Sequence, residues 1–173
     1  MKYIIYLCLF ISIAANIQEK IYLNAKANIG ETAWAKDKER QAKRNKEVLF
    51  SKGEWKCNLF VYEMILASGY DIGTPNIMGC IKHPILCILK KRKRPPCAID
   101  WYNETVPGMF LVGEGDEGRK NCKAGDIITD GTHVGIVSKN KNQTISAKPA
   151  KIVENDWGFR GEKDIKIFRY EED

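Results

Sequence analysis

The chain has 173 residues, 44% of them hydrophobic and 29% charged, with a formal net charge of +6. That length suits one domain, and the apolar fraction excludes a chain disordered throughout. Only two histidines are present, His83 and His133, which argues against a histidine-rich metal centre; no cofactor is expected.

Met1 and Lys2 precede a short apolar run from Tyr3 to Ile13, followed by the small residues Ala14 and Ala15. One positive charge, an apolar stretch and small residues form the pattern of a secretory signal peptide over residues 1–15, cleaved after Ala14 or Ala15. The expected mature product is one extracellular domain, residues 16–173. No other stretch approaches the roughly 20 apolar residues of a membrane-spanning helix. Asn103 and Asn142 stand in glycosylation sequons, which fits a eukaryotic secretory route.

Residues 32–49, mostly Lys, Glu, Arg and Gln after Trp34, read as a polar helix with few buried positions. Gly53, Glu54, Trp55 and Lys56 break it. Over residues 57–68, Phe60, Val61, Met64, Ile65 and Ala67 recur at helical spacing, and Gly69 follows where a left-handed cap belongs. A buried helix therefore begins at Cys57. Residues 71–118 hold all but one of the prolines and many glycines, and read as an irregular region held by cross-links. Beyond Cys122, residues 126–129, 133–138, 144–147 and 164–170 are short and β-rich, with a polar hairpin loop at 139–143. Helices precede a sheet, so the predicted class is α+β.

Six cysteines are present, and Cys8 leaves with the signal peptide. Cys57, Cys80, Cys87, Cys97 and Cys122 remain, an odd number in an oxidising compartment. If Cys57 is the reactive thiol, Cys80, Cys87, Cys97 and Cys122 can form two bridges across the irregular segment. Three connectivities are open to them. Five adjacent cations, Lys90, Lys91, Arg92, Lys93 and Arg94, repel one another unless an anion joins them, so they are a candidate contact for an anionic surface. No aromatics interleave the run, so a nucleic-acid partner is not expected.

A thiolate is the reactive form of cysteine, and a helix N-terminus or a neighbouring histidine favours it. Cys57 opens the buried helix, where unpaired N–H groups can also hold the oxyanion formed when sulfur attacks an amide carbonyl. His133 opens a strand that can pack against that helix, and its imidazole can take the thiol proton and return one to the leaving amine. Against this stands the ordinary role of a helical cysteine as a small buried hydrophobe or half of a cystine.

Residues 55–62 (Trp-Lys-Cys-Asn-Leu-Phe-Val-Tyr), 124–128 (Ala-Gly-Asp-Ile-Ile) and 133–137 (His-Val-Gly-Ile-Val) resemble the NlpC/P60 and CHAP group of papain-like amidases. Residues 29–35 (Ile-Gly-Glu-Thr-Ala-Trp-Ala) and 155–160 (Asn-Asp-Trp-Gly-Phe-Arg) are similar to one branch. That branch contains the type VI secretion amidase effectors and the domesticated amidase effectors secreted by ticks and mites. The resemblance spans residues 29–160 with gaps and is absent from the cysteine- and lysine-rich middle. It implies a helix-on-antiparallel-sheet fold without a metal, acting as a monomer on the peptide stems or cross-links of bacterial peptidoglycan. Cys57 would be the nucleophile and His133 the base. The family's orienting residue lies on the strand after the histidine, which points to Ser146, with Asn155 and Asp156 as alternatives. The histidine follows the cysteine in the chain, as in the hydrolases rather than the related acyltransferases. Trp34 and Trp157 read as core or groove-wall residues. The competing expectation is a secreted cationic binder of cell wall or sulfated glycan, with Cys57 inert or cross-linked.

Overall fold

The computed structural model describes residues 16–42, 49–72, 95–140, 142–161 and 164–170. The segment read as a signal peptide, with Cys8, the cysteines Cys80 and Cys87, and the run from Lys90 to Arg94 lie outside the described residues. The architecture is α+β: helices on one face of a six-stranded antiparallel sheet.

Helix α1 (Ile17–Ala27) starts at Asn16, whose side chain accepts a hydrogen bond from the Glu19 amide and so caps one of the free N–H groups of the first turn. Ile17, Ile21, Tyr22 and Ala25 are its buried side chains. This helix was not foreseen, although the cap and the spacing of those four residues are both in the sequence. Helix α2 (Cys57–Ala67) runs as expected, and Gly69 beyond it has φ +91°. Leu59 to Ile65 are all buried, because α2 packs against both α1 and strands β5 and β6 and is covered by the segment carrying Trp34 and Arg40.

The expected polar helix over residues 32–49 is not formed in residues 32–42, the part of that range described before residue 49. Its described parts are turns and a two-stranded hairpin, β1 (Arg40–Gln41) with β2 (Leu49–Phe50). Helix propensity without an apolar face to bury is a weak driver, and here the buried groups are drawn elsewhere. Trp34 packs edge-on against Phe60 of α2 at 5.3 Å. Its indole N–H donates to the carboxylate of Glu63, which is fully buried on α2 and also receives Arg40 at 2.7 Å. The Arg40 guanidinium lies 4.0 Å above the Trp34 ring, closing a buried cluster that fastens this segment to α2.

The irregular reading of residues 71–118 is likewise corrected for the part described. Helix α3 (Ala98–Tyr102), strand β3 (Met109–Glu114) and helix α4 (Gly115–Asn121) follow one another. The glycines that suggested a loop are there for contact: a Cβ on Gly113 would lie 2.9 Å from the Gly118 nitrogen, so α4 can fold back on β3 only without it. The remaining strands are β4 (Ile127–Thr129), β5 (Val134–Val137), β6 (Thr144–Ala147), β7 (Ile152–Asn155) and β8 (Lys166–Tyr170). All but β7 lie within or beside segments read as strands from sequence or, for β3, within the region read as irregular. Their order across the sheet is β3-β8-β4-β5-β6-β7, every neighbouring pair antiparallel.

The main core lies between this sheet and the two long helices. Val134, Ile136, Ile145 and Ala147 face α1 and α2, while Ile128, Val137, Trp157, Ile165 and Ile167 form a smaller cluster on the opposite face. The outer edge of β7 is covered by the segment after α1, through Gly30 N–H to the Ile152 carbonyl and Ile152 N–H to the Glu31 carbonyl, each 2.9 Å. Among the described residues no helix is long and apolar enough to cross a membrane.

Removing one partner of a buried ion pair leaves the other charge uncompensated, at a cost of about 3–5 kcal/mol. Arg40→Ala is therefore expected to lower the urea midpoint sharply, whereas Arg40→Ala combined with Glu63→Gln recovers part of the loss; an unchanged midpoint in the single variant contradicts this role.

Candidate active site

The loop before α2 fixes where its first turn lies. Lys56 is 1% exposed, and its ammonium donates to three carbonyl oxygens, those of Ala35 (3.3 Å), Ser51 (3.1 Å) and Glu54 (3.1 Å). Three donors meet three acceptors, which is what a buried ammonium requires. Burial holds its pKa below the usual lysine value, against the opposing pull of Glu54 and Asp37. No side chain caps the first turn of α2, so the amides of that turn are available to whatever lies in front of it.

Cys57 occupies that position. It is 4% exposed and unbridged. The backbone N–H groups of Val134, Asn58 and Cys57 itself lie near enough to its sulfur to favour the thiolate. Val134 is the residue after His133, so the start of α2 and the start of β5 meet at this sulfur. Cys57 and His133 line one cleft of about 430 Å³ together with Trp55, Asp130, Lys148 and Trp157.

His133 is placed by the turn between β4 and β5. The Asp130 carboxylate oxygen Oδ1 accepts from the amides of Thr132 (3.0 Å) and His133 (2.8 Å) and from the Thr132 hydroxyl (2.8 Å). The Thr129 hydroxyl donates to the His133 carbonyl at 2.9 Å. Asp-Gly at the head of a hairpin is a strong turn signal, and it locks the histidine at the mouth of the cleft. The imidazole meets the Trp157 ring edge to face, with centroids 4.5 Å apart and an interplanar angle of 86°.

The expected third residue does not take that role by hydrogen bonding. Pairing of Ile136 with Ile145 and of Val137 with Thr144 puts Ser146 across from Gly135, on the same face as His133. A Cβ on Gly135 would lie 3.1 Å from the Ser146 Cβ, so the two strands are tight there. The Ser146 hydroxyl is buried and has no hydrogen-bond partner among the described residues. The alternatives are used elsewhere. The Asn155 side chain accepts from the Trp157 amide at 3.0 Å, and Asp156 pairs with Arg160, which pulls its carboxyl below the usual range. The ring is positioned by Asp130 through the backbone and by Trp157 through its face.

Of the cysteines expected to be bridged, Cys122 is a thiol whose Sγ donates to the Arg119 carbonyl at 3.2 Å, and Cys97 sits at the N-cap of α3. Asn103 and Asn142 are exposed. Lys148, Trp55 and Asp130 were not foreseen in the site. The Asp130-Gly131 pair was the available signal for one of them; nothing in the sequence marks Lys148, which reaches the cleft because β6 runs beside β5.

A depressed thiol pKa was expected for Cys57, and the structure reverses the sign. Burial pushes the thiol up, and this outweighs the N–H groups of Val134, Asn58 and Cys57 and the positive charge of Lys148, all of which favour the thiolate. The sulfur rests as a thiol at neutral pH. The rate of Cys57 alkylation by iodoacetamide, followed by mass spectrometry, is therefore expected to keep rising with pH past the point where an exposed thiol levels off. Lys148→Met is expected to move the rise further up; a rise centred below the exposed-thiol range contradicts the assignment.

No family model matches the chain, and neither a curated protein nor a solved structure is similar to it.

Proposed function

We propose that the protein is a secreted cysteine amidase of the papain-like NlpC/P60 type that hydrolyses amide bonds in the peptide stems or cross-links of bacterial peptidoglycan. The observation that carries this reading is that Cys57, at the start of α2, and His133, at the start of β5, line one cleft. The local sequence resemblance at residues 55–62 and 133–137 supports it, as do the helix–sheet order and the open cleft beside the thiol.

The raised thiol pKa shapes the mechanism. Sulfur attacks the scissile carbonyl as the imidazole of His133 takes its proton, so that attack and proton transfer belong to one step. The carbonyl oxygen becomes an oxyanion, and the amides of Cys57 and Asn58 at the uncapped start of α2 are the donors available to hold it. The C–N bond then breaks, His133 gives the proton to the leaving amine, and a thioester remains. Water, deprotonated by the same imidazole, attacks the thioester and frees the acid and the thiol.

Trp55, which is 52% exposed, and Trp157 are suited to form the walls of a groove for an extended peptide. The cations from Lys90 to Arg94 lie outside the described residues. A net charge of +6 would concentrate the protein at anionic wall polymers, an effect that salt weakens.

Cys57→Ala is expected to stay folded and to reduce the release of soluble fragments from purified sacculi by about a thousandfold or more, with His133→Ala similar. Ser146→Ala is expected to keep activity within about threefold, since no hydrogen bond depends on it. Undiminished release by the Cys57 variant sinks the reading and leaves a cationic wall binder.

A further inference from the structure

Trp55 and Pro149 both line the cleft that holds Cys57. They come from distant parts of the chain, the loop before α2 and the turn after β6. What joins them is the segment after Trp34, and the group on which that segment converges is the buried ammonium of Lys56.

The peptide unit between Ala35 and Lys36 is held at both of its polar ends. Its carbonyl oxygen, that of Ala35, accepts from the Lys56 ammonium at 3.3 Å, and its N–H, that of Lys36, donates to the Pro149 carbonyl at 2.7 Å. In a trans peptide these two groups point in opposite directions, so the unit spans the distance from the start of α2 to the turn after β6. The Lys36 carbonyl in turn accepts from the Gly53 N–H at 2.7 Å. The same Lys56 ammonium donates to the carbonyls of Ser51 and Glu54, each at 3.1 Å, and the Glu54 carbonyl belongs to the peptide unit that leads into Trp55. The Lys36 ammonium stands 4.8 Å from the centre of the Trp55 ring. Trp55 is thus held through its backbone by Lys56 and through its ring by Lys36.

Three carbonyl oxygens that converge on one buried point need a donor there, and a cation with three N–H groups meets the need in full. Lys56 is 1% exposed, so it serves these oxygens and not the solvent. A charged donor also polarises the next hydrogen bond in line, so the ammonium strengthens the Lys36 bond to Pro149 although it does not touch Pro149.

We propose that Lys56 is a positioning residue for the reaction at Cys57: its ammonium braces the Trp55 wall against the Pro149 wall and so fixes the groove that an extended peptide enters. It acts through those two residues rather than on the reacting atoms. The inference rests on the amidase reading for its substrate; the brace itself does not.

Lys56→Met removes the cation and keeps much of the apolar length of the side chain. In the full chain, deuterium exchange of the Lys36 and Gly53 amides, followed by NMR, is expected to quicken by about tenfold relative to the core amides of Ile65 and Ile136. On soluble peptidoglycan fragments KM is expected to rise about tenfold while kcat stays within about threefold. A residue that only stabilised the fold would lower the active fraction, and with it kcat, and leave KM alone. Exchange at Lys36 and Gly53 that quickens no more than in the core, or an unchanged KM in the folded variant, overturns the proposal. Should Lys56→Met not fold, Lys56→Gln, which keeps two N–H donors, is read by the same two measurements and the same criteria. If the wild-type chain cleaves nothing, the amidase reading fails on its own, and calorimetric titration with the same fragments decides. Weaker binding by the Lys56 variant then upholds the brace, and equal or absent binding overturns it.

Discussion

The site depends on one contact: the packing of α2 against β5, which brings Cys57 and His133 to one cleft. Neither element could make a reactive centre alone. A helix start offers amides and a positive dipole end, and a strand start offers a histidine held in a tight turn. Only their contact puts the Cys57 thiol, the His133 imidazole and the first-turn amides of α2 in one place, as the proposed reaction requires. Much of the surrounding structure serves to fix that contact. Lys56 ties the approach to α2 with three carbonyl bonds, Asp130 ties the approach to β5 with three of its own, and the buried faces of α2 and β5 press the two together.

Buried charge is handled consistently. Glu63 is answered by Arg40 and Trp34, Asp126 by Arg169 at 2.7 Å, and Lys56 by backbone oxygens. Each charged group has been taken from water and given specific partners, which is the condition for tolerating it in a core. Cys57 shows the other way of surviving burial, which is to remain neutral. The nearby amides and Lys148 reduce the cost of the thiolate without removing it, so in the proposed reaction charge develops on sulfur only as His133 takes the proton. A thiol held neutral in this way is little reactive at rest.

Where the sequence could be read, the signal was periodic and local. The apolar spacing after Cys57 and the cap at Gly69 gave α2, and alternating β-rich runs gave β4, β5, β6 and β8 near their observed bounds. Two misreadings share a cause. In residues 32–49 abundant Lys and Glu suggested a helix, but Trp34, Arg40 and the hairpin answer to Glu63, a partner on a distant element. In residues 95–118 glycine and proline suggested a loop, but Gly113 and Gly118 are small so that a strand and a helix can touch. Composition records what a residue can do locally and says nothing of the neighbour it was selected to meet.

The same division holds for the site. The amino-acid order alone settled that Cys57 heads a buried helix and that His133 opens a strand, because helical and strand periodicity act over a few residues. The company these two keep was decided by the fold. Lys148 enters the cleft because β6 pairs with β5, Trp157 meets the imidazole because the turn after β7 folds over the sheet, and the Ser146 hydroxyl has no hydrogen-bond partner among the described residues. The ionisation of the thiol belongs with these. Its sign is set by how much water burial removes, a quantity that exists only after the chain has packed.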